Sequence, residues 1–146
     1  MRRSLQRVHI FAGLNQPALE LLLERAQAAS FPAGEVIVRE GELSNRFYVI
    51  GSGSVRIVKR FGDPSAVELA VLEQGDFFGE MCILEPLPRA ATVQAVAASE
   101  LVSLSSLDFY HVYQAMPAQY ALLLLNIARD LSRRLRRIDE VFAARH

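Results

Sequence analysis

The chain has 146 residues, of which 51% are hydrophobic and 22% charged, and its 16 basic residues balance its 16 acidic ones. This length fits a single domain over residues 1–146. The high hydrophobic content together with the balanced charge excludes a disordered chain, and the balanced charge excludes a general binder of polyanions. The lone Cys82 excludes an internal disulfide and an iron–sulfur or zinc cluster, and it suits a reducing, cytoplasmic compartment. No apolar run approaches the roughly 20 residues that cross a bilayer.

The N-terminal part, residues 1–30, is predicted to be helical. Its apolar residues recur at i, i+3, i+4 and i+7, with Pro17 in the first turn; they are Leu19, Leu22, Leu23 and Ala26. This spacing predicts an amphipathic helix over residues 17–29.

The middle part, residues 31–105, carries short β-branched runs separated by glycines. We predict strands at residues 36–38, 47–50, 55–58, 67–72, 92–96 and 101–104. Many short strands without helices long enough for parallel crossovers indicate an antiparallel sandwich or jelly roll, a mainly β fold with flanking helices.

The C-terminal part, residues 106–146, returns to helical periodicity. Ser106 can cap a short helix that Pro117 ends, and a long helix is predicted over residues 118–143. Two sets of apolar residues on this helix are seven apart: Leu124, Leu131 and Ile138, and Ala128, Leu135 and Phe142. This seam predicts a homodimer through the long helix; the alternative is that the seam packs on its own barrel.

The segment over residues 75–82 combines two glycines, two aromatic residues and a predicted helix start. Gly79 allows close approach of a phosphate, and free amides of Met81 and Cys82 at the start of a helix favour an anion. The segment therefore predicts an anion-binding nest.

Arg89, nine residues after Glu80, follows Pro88, which stiffens the turn. A guanidinium can give a phosphate two parallel hydrogen bonds, and a carboxylate suits a ribose hydroxyl. Together Glu80 and Arg89 indicate a site for a ribose phosphate. The alternative is a simple ion pair between Glu80 and Arg89, which requires neither the glycines nor the aromatic residues.

Residues 78–81 together with residues 88–92 resemble the phosphate-binding cassette of cyclic-nucleotide-binding domains of the catabolite activator and protein kinase A regulatory-subunit type. The resemblance covers nearly the whole chain and includes residues 11–14, 34–37, 40–42, 47–50, 53–55 and 75–76. It implies an eight-stranded jelly roll, an antiparallel double-stranded β-helix, with an N-terminal helix, a long C-terminal helix and the nucleotide inside.

The resemblance also implies roles for individual residues. Glu80 would hold the ribose 2′-hydroxyl and Arg89 a phosphate oxygen, while the amides of Gly79, Cys82 and Ala90 complete the cradle. Met81 and Cys82 would shape it. Ile57 and Leu69, on inner strand faces, would contact sugar or base, with ordinary core packing as the alternative.

The resemblance bears on the base as well. Relatives that prefer cGMP often carry threonine after the arginine, and Ala90 at this position favours cAMP. Ile138 and Asp139 stand where the catabolite activator uses polar residues of the long helix on adenine. Arg134 is expected either to approach the phosphate or to pair with Asp130 at i, i+4.

These residues lead us to expect a non-enzymatic sensor in which nucleotide binding moves the long helix. The sequence ends at His146 with no DNA-reading motif, so we expect an unknown downstream partner and not direct gene regulation. Two alternatives stay open: a degenerate jelly-roll interaction module without nucleotide, and nucleic-acid binding through the basic residues 129–137.

Enzymatic and metal chemistry lack candidates in the sequence. His9, His111 and His146 lie outside the predicted strands, so they do not form the three-ligand set of a catalytic metal, and we expect no metal and no cofactor. Cys82 has no histidine near it in the expected fold and is not predicted to be a nucleophile.

Overall fold

The structure is a computed structural model that describes residues 8–145, so predictions on residues 1–7 and on His146 lie outside it. A 3₁₀ turn, His9–Phe11, precedes helix α1 (Gln16–Arg25). The other helices are α2 (Met81–Leu84), α3 (Ser106–Ala115) and α4 (Pro117–Arg145). The strands are β1 (Gln27–Phe31), β2 (Val36–Val38), β3 (Arg46–Ser52), β4 (Ser54–Lys59), β5 (Val67–Glu73), β6 (Phe77–Phe78), β7 (Thr92–Ala95) and β8 (Ser99–Ser105). In this part of the chain, no helix has the length and apolar character needed to span a membrane.

The strands form two four-stranded sheets, in the orders β1-β8-β3-β6 and β2-β7-β4-β5. Every strand pair is antiparallel, and apart from the hairpin of β4 with β5 the neighbours in a sheet are not consecutive in the chain, as in a jelly roll. One apolar core consists of buried residues from both sheets: Val38, Ile50, Val55, Phe78, Val93 and Leu101. The predicted fold class, a jelly roll with flanking helices, is confirmed.

Strand β3 is buried on both faces, and this joins the helices to the barrel. Because side chains alternate along a strand, Ile50 packs in the core between the sheets while Phe47 packs in a second core with the helices. The Phe47 ring lies 5.8 Å from the rings of both Phe11 and Phe109. This aromatic contact attaches the 3₁₀ turn and α3 to the outer face of the sheet.

The prediction that the first helix continues to Ala29 is wrong. Helix α1, capped by the Asn15 side chain, ends at Arg25, and residues 27–31 pair with β8 as strand β1. Alanines at 28 and 29 fit a helix locally, but pairing with a distant strand overrides this preference. The short strand β6 was also not predicted, whereas the structure has strands at each of the six predicted runs.

The start of α3 lies one residue earlier than predicted. Ser105 caps the helix, and its hydroxyl accepts from the Asp108 N–H while the Asp108 carboxylate accepts from the Ser105 N–H. The cap predicted at Ser106 is therefore wrong. Helix α4 covers the predicted long helix and begins at Pro117, a residue suited to a first helical position.

Candidate functional site

The turn between β6 and α2 forms the centre of the candidate site. Phe78 ends β6 and stacks on Tyr48 of β3, with ring centroids 5.0 Å apart and an angle of 16° between the rings. Gly79 follows with φ of +84°, and Glu80 precedes the first residue of α2. The stacked aromatic pair thus fixes where the turn leaves the barrel.

Gly79 lies directly against the side chain of Arg89. A Cβ atom at position 79 would overlap Arg89 Nη1 and would lie 2.8 Å from the Arg46 carbonyl oxygen. The positive φ also disfavours any other residue. Both the backbone conformation and the space therefore require glycine here.

The Arg89 guanidinium is held on one edge and retains an unused donor. Its Nη2 donates to Ser44 Oγ at 2.6 Å and to the Arg46 carbonyl oxygen at 2.5 Å. Its Cζ lies 6.0 Å from the centroid of the Tyr48 ring. Arg89 Nε is buried and has no hydrogen-bond partner among the described residues. Such a donor has the capacity to bind an anion.

A groove of about 510 Å³ lies beside these contacts. Its lining residues are Leu43, Ser44, Asn45, Arg46, Tyr48, Pro86 and Leu87. Three of them, Ser44, Arg46 and Tyr48, contact the Arg89 guanidinium. This volume is in the range of small-molecule sites.

Glu80 is a buried carboxylate, with only 2% of the residue exposed. Its Oε1 accepts from Arg134 Nη1 of α4 at 2.5 Å. Burial raises the pKa of Glu80 above its usual value, although the positive charge of Arg134 opposes the shift. Because Glu80 pairs with Arg134, the alternative prediction of a simple Glu80–Arg89 ion pair is wrong.

Arg134 links the long helix to the turn. Its Nε lies 3.0 Å from Asp130 Oδ2, so the predicted pairing at i, i+4 is confirmed. Its Cζ lies 5.6 Å from the centroid of the Phe77 ring, which helps to hold the guanidinium over β6. A contact of Arg134 with a phosphate remains a prediction.

The nest of free amides is only partly present. The Cys82 N–H donates to the Gly79 carbonyl oxygen at 3.2 Å, so the prediction of a free amide at Cys82 is wrong in this structure. Burial raises the pKa of the Cys82 thiol to about 11, which keeps it protonated at neutral pH. Met81 is 41% exposed on the same turn of helix.

The remaining predicted residues are placed as follows. Ile57 packs against the core between the sheets, Leu69 is 58% exposed on edge strand β5, and Ala90 is exposed. Arg129, Arg133, Arg136 and Arg137 are exposed on α4, whereas Arg134 faces Glu80. Within residues 8–145, no three His, Cys, Asp or Glu side chains lie together as a metal site would require.

Several side chains at the site were not found from the sequence. Ser44 and Tyr48 contact Arg89 across more than forty positions, and a single sequence contains no signal for such pairing. Lys59, which donates to the Ala90 carbonyl oxygen at 2.6 Å, can be singled out in the sequence by its residue type. It is the only lysine among the 16 Lys and Arg residues of the chain.

The site lies within a family match. Residues 28–116 match the model of the cyclic nucleotide-binding domain, which is more than half of the chain. The chain belongs to the cyclic nucleotide-binding domain family.

Individual relatives agree with this assignment. The chain is 33% identical over 130 residues to the cyclic AMP receptor protein of Thermus thermophilus, covering 89% of this chain and 58% of that protein. It is 32% identical over 143 residues to a CRP-like cAMP-activated global transcriptional regulator of Mycobacterium tuberculosis, covering 98% of this chain and 62% of that protein. The chain thus spans about 60% of the length of these curated relatives.

Solved structures are similar over nearly the whole chain. The crystal structure of the N-terminal domain of a transcriptional regulator from Streptomyces coelicolor has a TM-score of 0.80 and 27% identity, and the similarity covers 95% of this chain and 94% of that one. The common fold thus includes the helices on both sides of the barrel.

Proposed function

We propose that this chain is a non-enzymatic, cytoplasmic regulatory domain that senses a cyclic nucleotide, with cAMP preferred over cGMP. The observation that carries the proposal is the close packing of the Arg89 guanidinium on Gly79, with Nε buried and without a hydrogen-bond partner among the described residues. A cyclic phosphate carries one negative charge, and a half-buried guanidinium with an unused donor matches it. In this proposal Arg89 holds the phosphate, with the amides of Gly79 and Ala90 beside it.

Glu80 is proposed to bind the ribose. A buried carboxylate accepts hydrogen bonds and does not donate them when ionised, so it suits the 2′-hydroxyl. Its raised pKa reflects the desolvation cost of the carboxylate, which the pairing with Arg134 offsets in part. A buried acceptor at this position supports a binding role.

The preference for cAMP rests on two points. The relatives compared above are described as a cyclic AMP receptor and a cAMP-activated regulator. In the family pattern, Ala90 lacks the hydroxyl that threonine offers to guanine at this position. Ile57 and Leu69 are proposed to contact the sugar or base.

Movement of α4 is proposed to transmit the signal. Arg134 of α4 pairs with Glu80, the residue proposed to bind ribose. A ribose hydroxyl that reaches Glu80 must share or displace Arg134, so ligand binding and the position of α4 become coupled. The partner that detects this movement is unidentified.

Titration calorimetry with cAMP and cGMP on wild type and Ala90→Thr tests the preference. We expect wild type to bind cAMP more tightly, and we expect the threonine hydroxyl to shift the ratio toward cGMP by about fivefold to tenfold, the value of one hydrogen bond. An unchanged ratio would remove Ala90 from the basis of selectivity.

A further inference from the structure

Lys59, at the end of β4, is the only lysine in a chain whose other cationic side chains are arginines. Its Nζ donates to the Ala90 carbonyl oxygen at 2.6 Å and lies 3.2 Å from Glu40 Oε2. The other oxygen of this carboxylate, Oε1, accepts from the Arg60 N–H at 2.9 Å. Lys59 is thus held by a carboxylate that the backbone itself orients.

The segment over residues 88–92, called the arginine segment below, is hydrogen-bonded through its backbone to a turn over residues 39–42. The Gly41 N–H donates to the Arg89 carbonyl oxygen and the Arg89 N–H donates to the Glu42 carbonyl oxygen, each at 2.8 Å. Gly41 has φ of +86°, which this turn requires. Arg89 is therefore bound on both sides of its backbone.

The orientation of the Ala90 N–H follows from these bonds. In a trans peptide the N–H points opposite to the preceding carbonyl group. Because the Arg89 carbonyl oxygen points to Gly41, the Ala90 N–H points away from the turn, and it has no hydrogen-bond partner among the described residues. Lys59 fixes the next peptide unit through the Ala90 carbonyl oxygen.

The C-terminal end of the arginine segment, at Thr92, is also hydrogen-bonded to the turn over residues 39–42. The Glu40 N–H donates to Thr92 Oγ1 at 3.0 Å, and Thr92 is 4% exposed at the start of β7. Glu40 therefore contacts the segment twice, by its backbone at Thr92 and through its carboxylate by way of Lys59.

We propose that Lys59 and Glu40 are positioning residues for the arginine segment, which binds the phosphate in the proposed function. The pair holds the peptide unit after Ala90, and the Gly41 N–H holds the unit before it, so that the Ala90 N–H and the Arg89 side chain are presented together. The inference rests on the proposed function, because it assigns these residues to the same nucleotide site. Neither residue touches the nucleotide itself in this proposal.

Three variants and one matched control test it by cAMP titration. Lys59→Met removes the ammonium group and keeps most of the stem, and we expect the Kd for cAMP to rise about fivefold, since the pair is partly exposed to water. Lys59→Arg restores a charged donor and is expected to rescue most of the affinity. Glu40→Gln is expected to weaken binding less than Lys59→Met. The control is Arg56→Met on the same strand, whose ion pair with Glu68 is comparably exposed.

Amide signals in ¹H–¹⁵N spectra without nucleotide separate positioning from loss of folding. Lys59→Met is expected to shift the signals of Ala90 and Ala91 while most others stay in place, and Arg56→Met is expected to leave both unchanged. In a double-mutant cycle, the loss of cAMP affinity caused by Lys59→Met is expected to be smaller in the Arg89→Ala background than in wild type, because both substitutions act on one phosphate contact.

Failure of the positioning proposal can be distinguished from failure of the proposed function. If wild type binds cAMP and Lys59→Met binds it equally well, the positioning proposal is overturned while the proposed function stands. If wild type binds neither cAMP nor cGMP, the proposed function fails and the positioning proposal falls with it.

Discussion

Gly79 shows how one residue can serve both the backbone and the site. Its φ of +84° is a conformation that other residues adopt only at a cost, and its missing side chain provides the space that the Arg89 guanidinium occupies. These two requirements can be separated by mutation, since Gly62 has a nearly identical φ of +83° and open space around it.

We expect Gly79→Ala to lower the free energy of unfolding by about 2–4 kcal/mol, combining backbone strain with displacement of Arg89. Gly62→Ala carries the strain alone and should cost only about 1 kcal/mol. Urea denaturation of the two variants measures the difference. An equal decrease in the free energy of unfolding in the two variants would mean that Arg89 does not need the space beside Gly79.

Glu80 illustrates a residue that stability alone does not explain. Burial raises the pKa of its carboxyl group, so the ionised form is disfavoured in the folded protein. An apolar residue at this position would avoid that cost. The ion pair with Arg134 offsets part of the cost, and in the proposed function the carboxylate serves to bind ribose.

At the scale of elements, Arg134 of α4 pairs with the buried Glu80 of the site. We expect Arg134→Ala to lower the free energy of unfolding by about 1–2 kcal/mol, because it leaves the buried Glu80 carboxylate without its partner. Hydrogen exchange should become faster in the second half of α4. Arg133→Ala, on the neighbouring exposed position, is the control and should change neither quantity.

Equal exchange rates in the two variants would contradict a role for the Arg134–Glu80 pair in holding α4. They would also remove the basis for coupling between the nucleotide and this helix.

The elements that the sequence predicted are those whose signal is local. Helix α4, with a regular seam, and the β-branched strands were predicted because periodicity and branching are read over a few residues. Residues 27–29 of strand β1 were predicted as helix because the alanines at 28 and 29 become a strand only through pairing with β8. The same limit applies to the site. Gly79, Glu80 and Arg89 carry a motif, whereas the contacts of Ser44 with Arg89 and of Glu40 with Lys59 form only through the fold.

At the scale of the whole molecule, the apolar seam of α4 divides into two halves. Leu124 and Leu131 pack against the core, while Leu135 and Ile138 are 60% and 63% exposed. Exposed apolar residues continuing a buried seam indicate a partner surface. We propose that a second copy of the chain covers it.

We expect wild type to be a dimer by light scattering and the double variant Leu135→Glu with Ile138→Glu to be a monomer. Charges at two seam positions must be desolvated in a dimer, which disfavours association. Arg129→Glu with Arg133→Glu, exposed on the same helix, is the control and should remain dimeric. A monomeric wild type at high concentration would contradict the dimer.

The most direct measurement of nucleotide sensing is calorimetric titration of wild type and Arg89→Ala with cAMP, with Arg129→Ala as a control for loss of positive charge elsewhere. We expect wild type to bind one cAMP per chain, the control to bind equally well, and Arg89→Ala to lose about tenfold to a hundredfold in affinity, as expected for a charge-assisted hydrogen bond. Wild type that binds no cyclic nucleotide, or an Arg89→Ala variant with unchanged affinity, would contradict the assignment of Arg89 as the phosphate-binding residue of a cyclic-nucleotide sensor.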